Sequence, residues 1–150
     1  MSIKYRKGTC IKPRKPGHKY IIHALPTKKT WGGKFLNDLT DEYPEAKDAF
    51  CRLRERKLGT CEFIEIDDDI TVVNMIVSQI PTPKNIPPIR YEALEKSLRE
   101  VAEASLVSES SIHMNRLGCD KFHGAEWEKI EPILKILSEE CGTKWYVYEN

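Results

Sequence analysis

Reactive and charged side chains are concentrated between Arg116 and Gly124, in a polar segment that reads RLGCDKFHG. An apolar run precedes this segment, and an amphipathic helical pattern begins at Trp127. A strand, a glycine-containing loop and a helix form the arrangement that turns free backbone N–H groups and a helix N-terminus toward an anion. We therefore expect a ligand site here, formed by Arg116, Gly118, Cys119, Asp120, Lys121, Phe122, His123 and Gly124.

The same segment contains candidates for proton transfer and for nucleophilic attack. Asp120 could act as a general base, and His123 is a second candidate. Cys119 and His123 could form a thiolate–imidazole pair, a weaker interpretation than a base at Asp120. The spacing of His113, Cys119 and His123 matches no usual zinc site, so we expect no metal.

A second glycine-containing loop follows the β-branched run Lys19–Leu25, which Pro26 ends. Two glycines before a helix let the backbone approach a ligand closely, and the helix start favours phosphate. Trp31 fits a core position better than a ligand platform, and His23 fits a hydrogen-bonded core histidine better than a catalytic group. The residues that we expect at a ligand in this loop are Thr30, Trp31, Gly32, Gly33 and Lys34.

Composition limits the broad class of the protein. The 150 residues are 40% hydrophobic and 31% charged, which fits one globular domain over residues 1–150. Twenty-four Lys and Arg against 23 Asp and Glu argue against a general binder of nucleic-acid backbones. The basic residues between Lys4 and Lys34 predict either a positive face for a phosphorylated ligand or a lysine-protected strand edge.

Cysteine usage and hydropathy bear on the compartment. Five cysteines without a C-x-x-C pair, and a start that does not read as a signal peptide, predict reduced thiols in the cytoplasm. No apolar run approaches the roughly 18 residues of a membrane span, so we expect no membrane partner. We expect a monomer.

Periodicity predicts the elements that position the two loops. Strands are expected at residues 2–7, 19–25, 60–66, 70–79, 112–114 and 144–149, the third and fourth forming a hairpin. Helices are expected at 35–43, at 45–54, and from Tyr91 and Trp127 onward. Helices that alternate with buried strands imply a mixed, largely parallel sheet covered on both faces. Because ligands bind outside the carboxyl ends of such strands, the two loops should form one cleft.

The segments, taken together, resemble the macro domain family along nearly the whole chain. KYIIHALPTKKTWGGKF (19–35) is similar to a strand followed by N-D-x-G and W-G-x-G-F. HMNRLGCDKFHGAEWEKIEPIL (113–134) is similar to M-P-R-I-G-C-G-L…W-E. The similarity is greatest to the branch of the terminal ADP-ribose protein glycohydrolase and the ADP-ribose 1''-phosphate phosphatase. It implies a three-layer α/β/α fold with a six-stranded sheet and an ADP-ribose cleft between the loops.

The resemblance also assigns positions to the ligand. Trp31, Gly32 and Gly33 would meet the diphosphate and distal ribose, and the residues from Gly118 to Gly124 would close the other side. Ile11 would border the adenine, and Tyr148 would lie near the proximal ribose.

The chain departs from the family pattern at several of these positions. Thr9 or Cys10 replaces the adenine-reading aspartate, Pro26 the asparagine that orients the distal ribose, and Lys34 the second glycine. The nucleophilic lysine of the glycohydrolase falls at Ser78 or Gln79, so that mechanism does not carry over.

Two functions follow from the resemblance. We expect a hydrolase that acts on an ADP-ribose derivative, either the 1''-phosphate or an ADP-ribosyl ester on protein, with water activated by His23, Asp120 or His123. The alternative is a non-catalytic binding module for ADP-ribose or a related cyclic or phosphorylated nucleotide. Lys34 and Lys121 would suit an additional phosphate. Neither function requires a cofactor.

Overall fold

The computed structural model describes residues 2–149, so Met1 and Asn150 lie outside the described part. Strands and helices follow one another in the predicted order. They are β1 (Ile3–Lys7), β2 (Lys19–Pro26), α1 (Lys34–Glu42), α2 (Pro44–Arg52), β3 (Cys61–Glu65), β4 (Ile70–Ser78), α3 (Tyr91–Ser108), β5 (Ser111–Asn115), α4 (Trp127–Cys141) and β6 (Trp145–Glu149).

The strands form one sheet in the order β1-β6-β5-β2-β4-β3. Every neighbouring pair is parallel except β3 and β4. This confirms the predicted mixed, largely parallel six-stranded sheet and the hairpin within it. The hairpin turn is closed by Asp67, whose Oδ1 accepts the N–H groups of Asp69 and Ile70 at 2.8 Å each. An Asx turn of this kind lets aspartate replace the backbone acceptors that a tight turn lacks.

Helices cover both faces of the sheet, which confirms the three-layer arrangement. On one face Ile22, Val73 and Met75 pack with residues of α3 and α4, and on the other Ile21 and Val72 pack with residues of α1 and α2. β4 is buried at every position, as expected for a strand covered on both sides. None of the helices between residues 2 and 149 has the length and apolar character needed to cross a membrane.

The irregular crossing from β1 to β2 is partly buried, although glycine, proline and lysine dominate its sequence. Cys10 and Ile11 pack into the core on the α1 face, where the Tyr43 hydroxyl donates to the carbonyl of Ile11 at 2.9 Å. These two residues belong to the same core cluster as Tyr146 and Tyr148 of β6. β1 is an edge strand that pairs only with β6, which agrees with the prediction of a lysine-protected edge.

Candidate functional site

A cavity of about 630 Å³ opens between the loop after β2 and the loop after β5, at the carboxyl ends of these strands. Its size is typical of small-molecule sites. The two loops therefore form one cleft, as the topology predicts. The predicted residues on its wall are His23, Thr30, Gly32, Gly33, Lys34, Arg116, Gly118, Cys119, Asp120, Phe122 and His123.

The first loop directs the start of α1 into this cavity. Gly33 is the N-cap residue, with φ 98° and ψ 165°, and no side chain caps the helix. The first intrahelical bond runs from the N–H of Asn37 to the carbonyl of Gly33 at 3.0 Å. The N–H groups of Lys34, Phe35 and Leu36 therefore have no acceptor within residues 2–149, and all three residues line the cavity. Such a helix start attracts an anion.

The second loop is held by bonds within itself. The Asp120 Oδ1 accepts the N–H of His123 at 2.7 Å, and the carbonyls of Asp120 and Gly118 accept the N–H groups of Gly124 and Ala125 at 2.9 and 2.8 Å. The N–H groups of Leu117 and Gly118 have no acceptor in the described part of the chain, and both residues line the cavity. Free donors thus lie on both sides of the cleft.

The prediction of a second helix start at the ligand is wrong. α4 begins at Trp127, after the turn that Asp120 stabilises, and none of its residues lines the cavity. The backbone N–H of Glu126, the N-cap residue of α4, bonds to the hydroxyl of Tyr91 at 3.0 Å. The anion donors on this side come from the loop backbone, and the helix points elsewhere.

His23 lies at the inner end of the cavity on β2. It is 3% exposed, and its Nε2 lies 2.6 Å from Oδ1 of Asn74. Its Nδ1 is buried and has no hydrogen-bond partner within residues 2–149. The ring packs edge-to-face on Trp31, with centroids 5.7 Å apart. Burial lowers the pKa of His23 to about 4, so the imidazole is neutral near pH 7.

His123 is a second buried histidine on the cavity wall. Its Nδ1 lies 2.6 Å from the hydroxyl of Ser78, which is fully buried and does not line the cavity. Burial lowers the pKa of His123, and the Asp120 carboxylate partly opposes that shift. The contact with Ser78 anchors the second loop to β4, which is a structural role.

The thiolate–imidazole interpretation of Cys119 is wrong. Its sulfur donates to the carbonyl of Leu117 at 3.5 Å, and burial raises the pKa of the thiol to about 11. A thiol that stays protonated at neutral pH is a poor nucleophile. His113 is fully buried and bonds to Ser111 and Tyr148, away from the cavity. Within residues 2–149 no group of three or more His, Cys, Asp or Glu side chains could hold a metal ion.

Several residues expected at the ligand do not line the cavity. Cys10, Ile11 and Tyr148 are at most 4% exposed and belong to the core on the α1 face. The Tyr148 hydroxyl accepts the backbone N–H of Arg14 at 3.1 Å and bonds to Nδ1 of His113 at 2.8 Å. These three side chains therefore pack in the core and are not open to a ligand in the cavity. Three more residues that were expected at the ligand do not line the cavity, namely Thr9, Lys121 and Gly124.

The polar groups of the Trp31 and Arg116 side chains have partners within the fold. The Trp31 indole donates to Oγ1 of Thr40 at 2.8 Å and packs on Phe50, so the core interpretation of this residue holds. The Arg116 guanidinium bonds to the Glu149 carboxylate at 2.9 Å and lies over the ring of Trp127. Lys34 lines the cavity but pairs with Asp38 at 2.9 Å while remaining largely exposed. The cavity is therefore less basic than its sequence suggests.

Pro26, which replaces the asparagine of the family pattern, also lies on the wall. The other wall residues were not expected at the ligand, and they are Ile22, Ala24, Phe35, Leu36, Asn115 and Leu117. Most are apolar residues of the strand ends and of the first turn of α1. Asn115 is a polar residue directly before the second loop, and this position in the sequence could have indicated that it lines the site. Its Oδ1 accepts the backbone N–H of Cys10 at 3.0 Å.

Comparison with known proteins gives matches in structure. No protein-family model matches the sequence, and no curated protein matches it. A protein of unknown function from Bacteroides thetaiotaomicron is 31% identical, with a TM-score of 0.93, over 100% of this chain and 99% of that chain. The two therefore belong to one family.

Further neighbours indicate which family this is. A macrodomain protein from Streptomyces coelicolor is 26% identical, with a TM-score of 0.82, over 99% of each chain. DarTG from Thermosipho africanus, in complex with ADP-ribose, is 15% identical, with a TM-score of 0.64, over 86% of this chain and 37% of that chain. The structural neighbours are macrodomain proteins, which supports assignment to the macro domain family.

Proposed function

We propose that this chain, whose fold is that of macrodomain proteins, binds ADP-ribose or an ADP-ribose derivative in the cavity between its two loops. The neighbour from Thermosipho africanus was solved in complex with ADP-ribose, and the cavity lies where the topology of an open α/β sheet favours a ligand. Its volume of about 630 Å³ suits a molecule of this class.

One observation carries the proposal: residues that line the cavity from both loops have backbone N–H groups without an acceptor in the described part of the chain. Lys34, Phe35 and Leu36 supply them from the start of α1, and Leu117 and Gly118 supply them from the other side. Charge-assisted bonds from backbone N–H groups to anionic oxygens are stronger than bonds between neutral groups. A diphosphate has acceptor oxygens on two linked phosphorus centres, so it could be bound from both loops at once.

Hydrolysis of the bound derivative is a second candidate, and His23 supports it. This residue lies on the cavity wall, and its buried Nδ1 has no hydrogen-bond partner within residues 2–149. However, the pKa of about 4 makes this imidazole a weak base at neutral pH. One carboxylate oxygen of Asp120 accepts the N–H of His123 within the second loop, and Nδ1 of His123 contacts the hydroxyl of Ser78. We therefore rank binding before turnover.

Calorimetric titration with ADP-ribose, and separately with adenosine, tests the binding proposal. We expect ADP-ribose to bind and adenosine to bind far more weakly, because adenosine has no phosphate for the loop donors. Equal affinity for the two compounds, or no binding of ADP-ribose, would contradict the proposal.

Turnover is measured on two substrates with the same protein. Phosphate release from ADP-ribose 1''-phosphate reports phosphatase activity, and release of ADP-ribose from an ester-linked ADP-ribosylated protein reports ester hydrolysis. Activity that is lost in His23→Phe would establish the hydrolase function. Binding without release from either substrate would leave a binding module.

A further inference from the structure

The two edge strands of the sheet differ in their protection against pairing with another chain. β1 carries exposed lysines at Lys4 and Lys7, and lysines on an edge strand discourage such pairing. β3, at the other edge, contains no lysine, arginine, proline or glycine between Cys61 and Glu65. Its central residue, Phe63, is 37% exposed. β3 is therefore the edge that is more open to a further strand.

The outer backbone groups of β3 are available for pairing. Toward β4, the carbonyl of Thr60 accepts the N–H of Ile76 at 3.0 Å, and the N–H of Ile66 bonds to the carbonyl of Ile70 at 2.9 Å. Successive residues of a strand direct their backbone groups to alternate sides, so the even-numbered residues of β3 bond to β4. The N–H and C=O groups at positions 61, 63 and 65 are therefore directed outward, away from the sheet.

A second copy of β3 can pair with this edge in the antiparallel direction, around a two-fold axis at Phe63. This axis pairs all five residues of the strand, because Cys61 lies opposite Glu65 of the second copy and Glu62 lies opposite Ile64. The outward-facing residues then form three hydrogen-bonded pairs, each with two backbone bonds. An axis at Glu62 or at Glu65 would instead place two carboxylates directly opposite each other, which is unfavourable.

The charges at the two ends of β3 are complementary in this register. The turn before β3 carries Lys57, and the turn after it carries Asp67, Asp68 and Asp69. All four residues are exposed, and none of them forms an ion pair within residues 2–149. Antiparallel pairing brings the first turn of one copy beside the second turn of the other, with Lys57 level with Asp69. The two-fold axis repeats this contact.

We infer that this chain forms a two-fold dimer in which β3 pairs with β3 of a second copy and one sheet continues through both. A contact between identical surfaces closes on itself, so only the lysine-bearing β1 edges stay open. The Phe63 side chains of the two copies lie opposite each other, where aromatic pairs stabilise a sheet. Each ring also packs on Tyr20 of its own chain, with centroids 5.8 Å apart. A dimer differs from the monomer that we expected from the sequence.

The dimer goes beyond the proposed function and does not depend on it. β4 lies between β3 and β2, and no residue of β3 lines the cavity. The association can therefore be measured on the protein without any ligand, and a failure to bind ADP-ribose would leave it unaffected.

Sedimentation equilibrium over a range of protein concentrations tests the association. We expect the wild type to shift from the mass of one chain to twice that mass as its concentration rises. Phe63→Lys places two lysines opposite each other at the axis and should weaken the dimer at least about tenfold. Tyr5→Lys is the matched control, because Tyr5 is an aromatic residue of the β1 edge that is 41% exposed; it should associate as the wild type does. A wild type that stays monomeric or forms larger assemblies, or unchanged association in Phe63→Lys, would overturn the inference.

Charge reversal in the exposed turns tests the register, and it remains informative if Phe63→Lys does not fold. Lys57→Asp and Asp69→Lys should each weaken the dimer about tenfold, because each change turns two attractive contacts into repulsive ones. A chain that carries both substitutions has opposite charges at these contacts again and should dimerise as the wild type does. Single variants without effect, or a double variant as weak as the single ones, would refute the pairing around Phe63.

Oxidation of Phe63→Cys locates the axis directly. Opposite residues of a hydrogen-bonded antiparallel pair have Cα atoms about 5.5 Å apart, which lies within the range of a disulfide. We expect a disulfide-linked dimer in which peptide mapping finds the two substituted positions joined, and no such link in the control Tyr5→Cys. Failure of Phe63→Cys to link, or equal linkage of both variants, would exclude this interface.

Discussion

Gly33→Ala is the substitution that tests the anion site most directly. Gly33 has φ 98° and ψ 165°, a region that is essentially restricted to glycine, and it is the residue from which α1 begins. A Cβ built at Gly33 meets no atom within 4 Å, so the substitution introduces backbone strain without a clash. Because the loop is exposed, we expect it to relax and to rotate the N–H groups of the first helical turn away from the ligand.

Gly17→Ala is the matched control. Gly17 has φ 85°, its added Cβ also meets no atom within 4 Å, and it lies in the crossing before β2, outside the cavity. Both substitutions should cost about 1–3 kcal/mol of strain, which lowers the free energy of unfolding. Only Gly33→Ala should also weaken ADP-ribose binding, by about 10- to 150-fold if one charge-assisted hydrogen bond of about 1.5–3 kcal/mol is lost.

Calorimetric titration and urea unfolding of the wild type and the two variants check both parts. The expected result is a similar loss of stability in both variants and a loss of affinity in Gly33→Ala alone. If Gly33→Ala is destabilised but binds ADP-ribose as tightly as the wild type, the start of α1 does not hold the phosphates. Equal losses of affinity in both variants would mean that strain anywhere in the chain weakens binding.

Three further substitutions test the second loop, the buried imidazole and the cavity charge. Gly124→Ala should lower the free energy of unfolding in urea by about 1–3 kcal/mol more than Gly142→Ala does. The two glycines have similar backbone angles, with φ 74° and 72°, but only a Cβ at Gly124 would lie 2.8 Å from Pro87. Equal losses of stability in the two variants would contradict this packing. Burial lowers the pKa of His23 to about 4, so as pH falls below 6.5 this histidine is protonated in the unfolded chain before it is protonated in the folded protein. The stability that the neutral histidine contributes is therefore fully present above pH 6.5. Between pH 6.5 and pH 4, the free energy of unfolding in urea should fall by about 3 kcal/mol more for the wild type than for His23→Phe. Arg116→Gln should change ADP-ribose affinity by no more than about twofold in calorimetry, because the guanidinium pairs with Glu149 at the surface; a tenfold loss would place it at the ligand.

The sequence predicted the elements of the fold because their patterns are local. The continuous apolar run from Ile70 produces a strand that is buried throughout, and Asp67 closes the hairpin that was predicted from the third and fourth strands. The burial of the crossing before β2 could not be predicted in this way, because glycine, proline and lysine dominate the segment and leave no periodicity. Cys10 and Ile11 are buried there only because the segment packs over the tyrosines of β6, which are far away in the sequence.

The position of the site was predictable, but its side-chain chemistry was not. Topology alone brings the two loops to the same edge of the sheet, and the cavity lies between them. The charged residues that pointed to a basic pocket have other partners. Arg116 pairs with Glu149, which lies 33 positions later, and the Trp31 indole bonds to Thr40 in α1. Such partners depend on strand register and helix orientation, which residue types and spacing within one loop do not specify.

The departures from the macro domain pattern affect the two parts of the cavity differently. Backbone N–H groups do not depend on side-chain identity, so a lysine at position 34 leaves the donors of the first helical turn in place. Pro26, in contrast, lines the cavity without any side-chain polar group where the family pattern has an asparagine. Three residues earlier on the same strand, His23 retains a buried acceptor. A chain that keeps phosphate recognition on its backbone while changing its side-chain contacts to the sugar would keep its class of ligand.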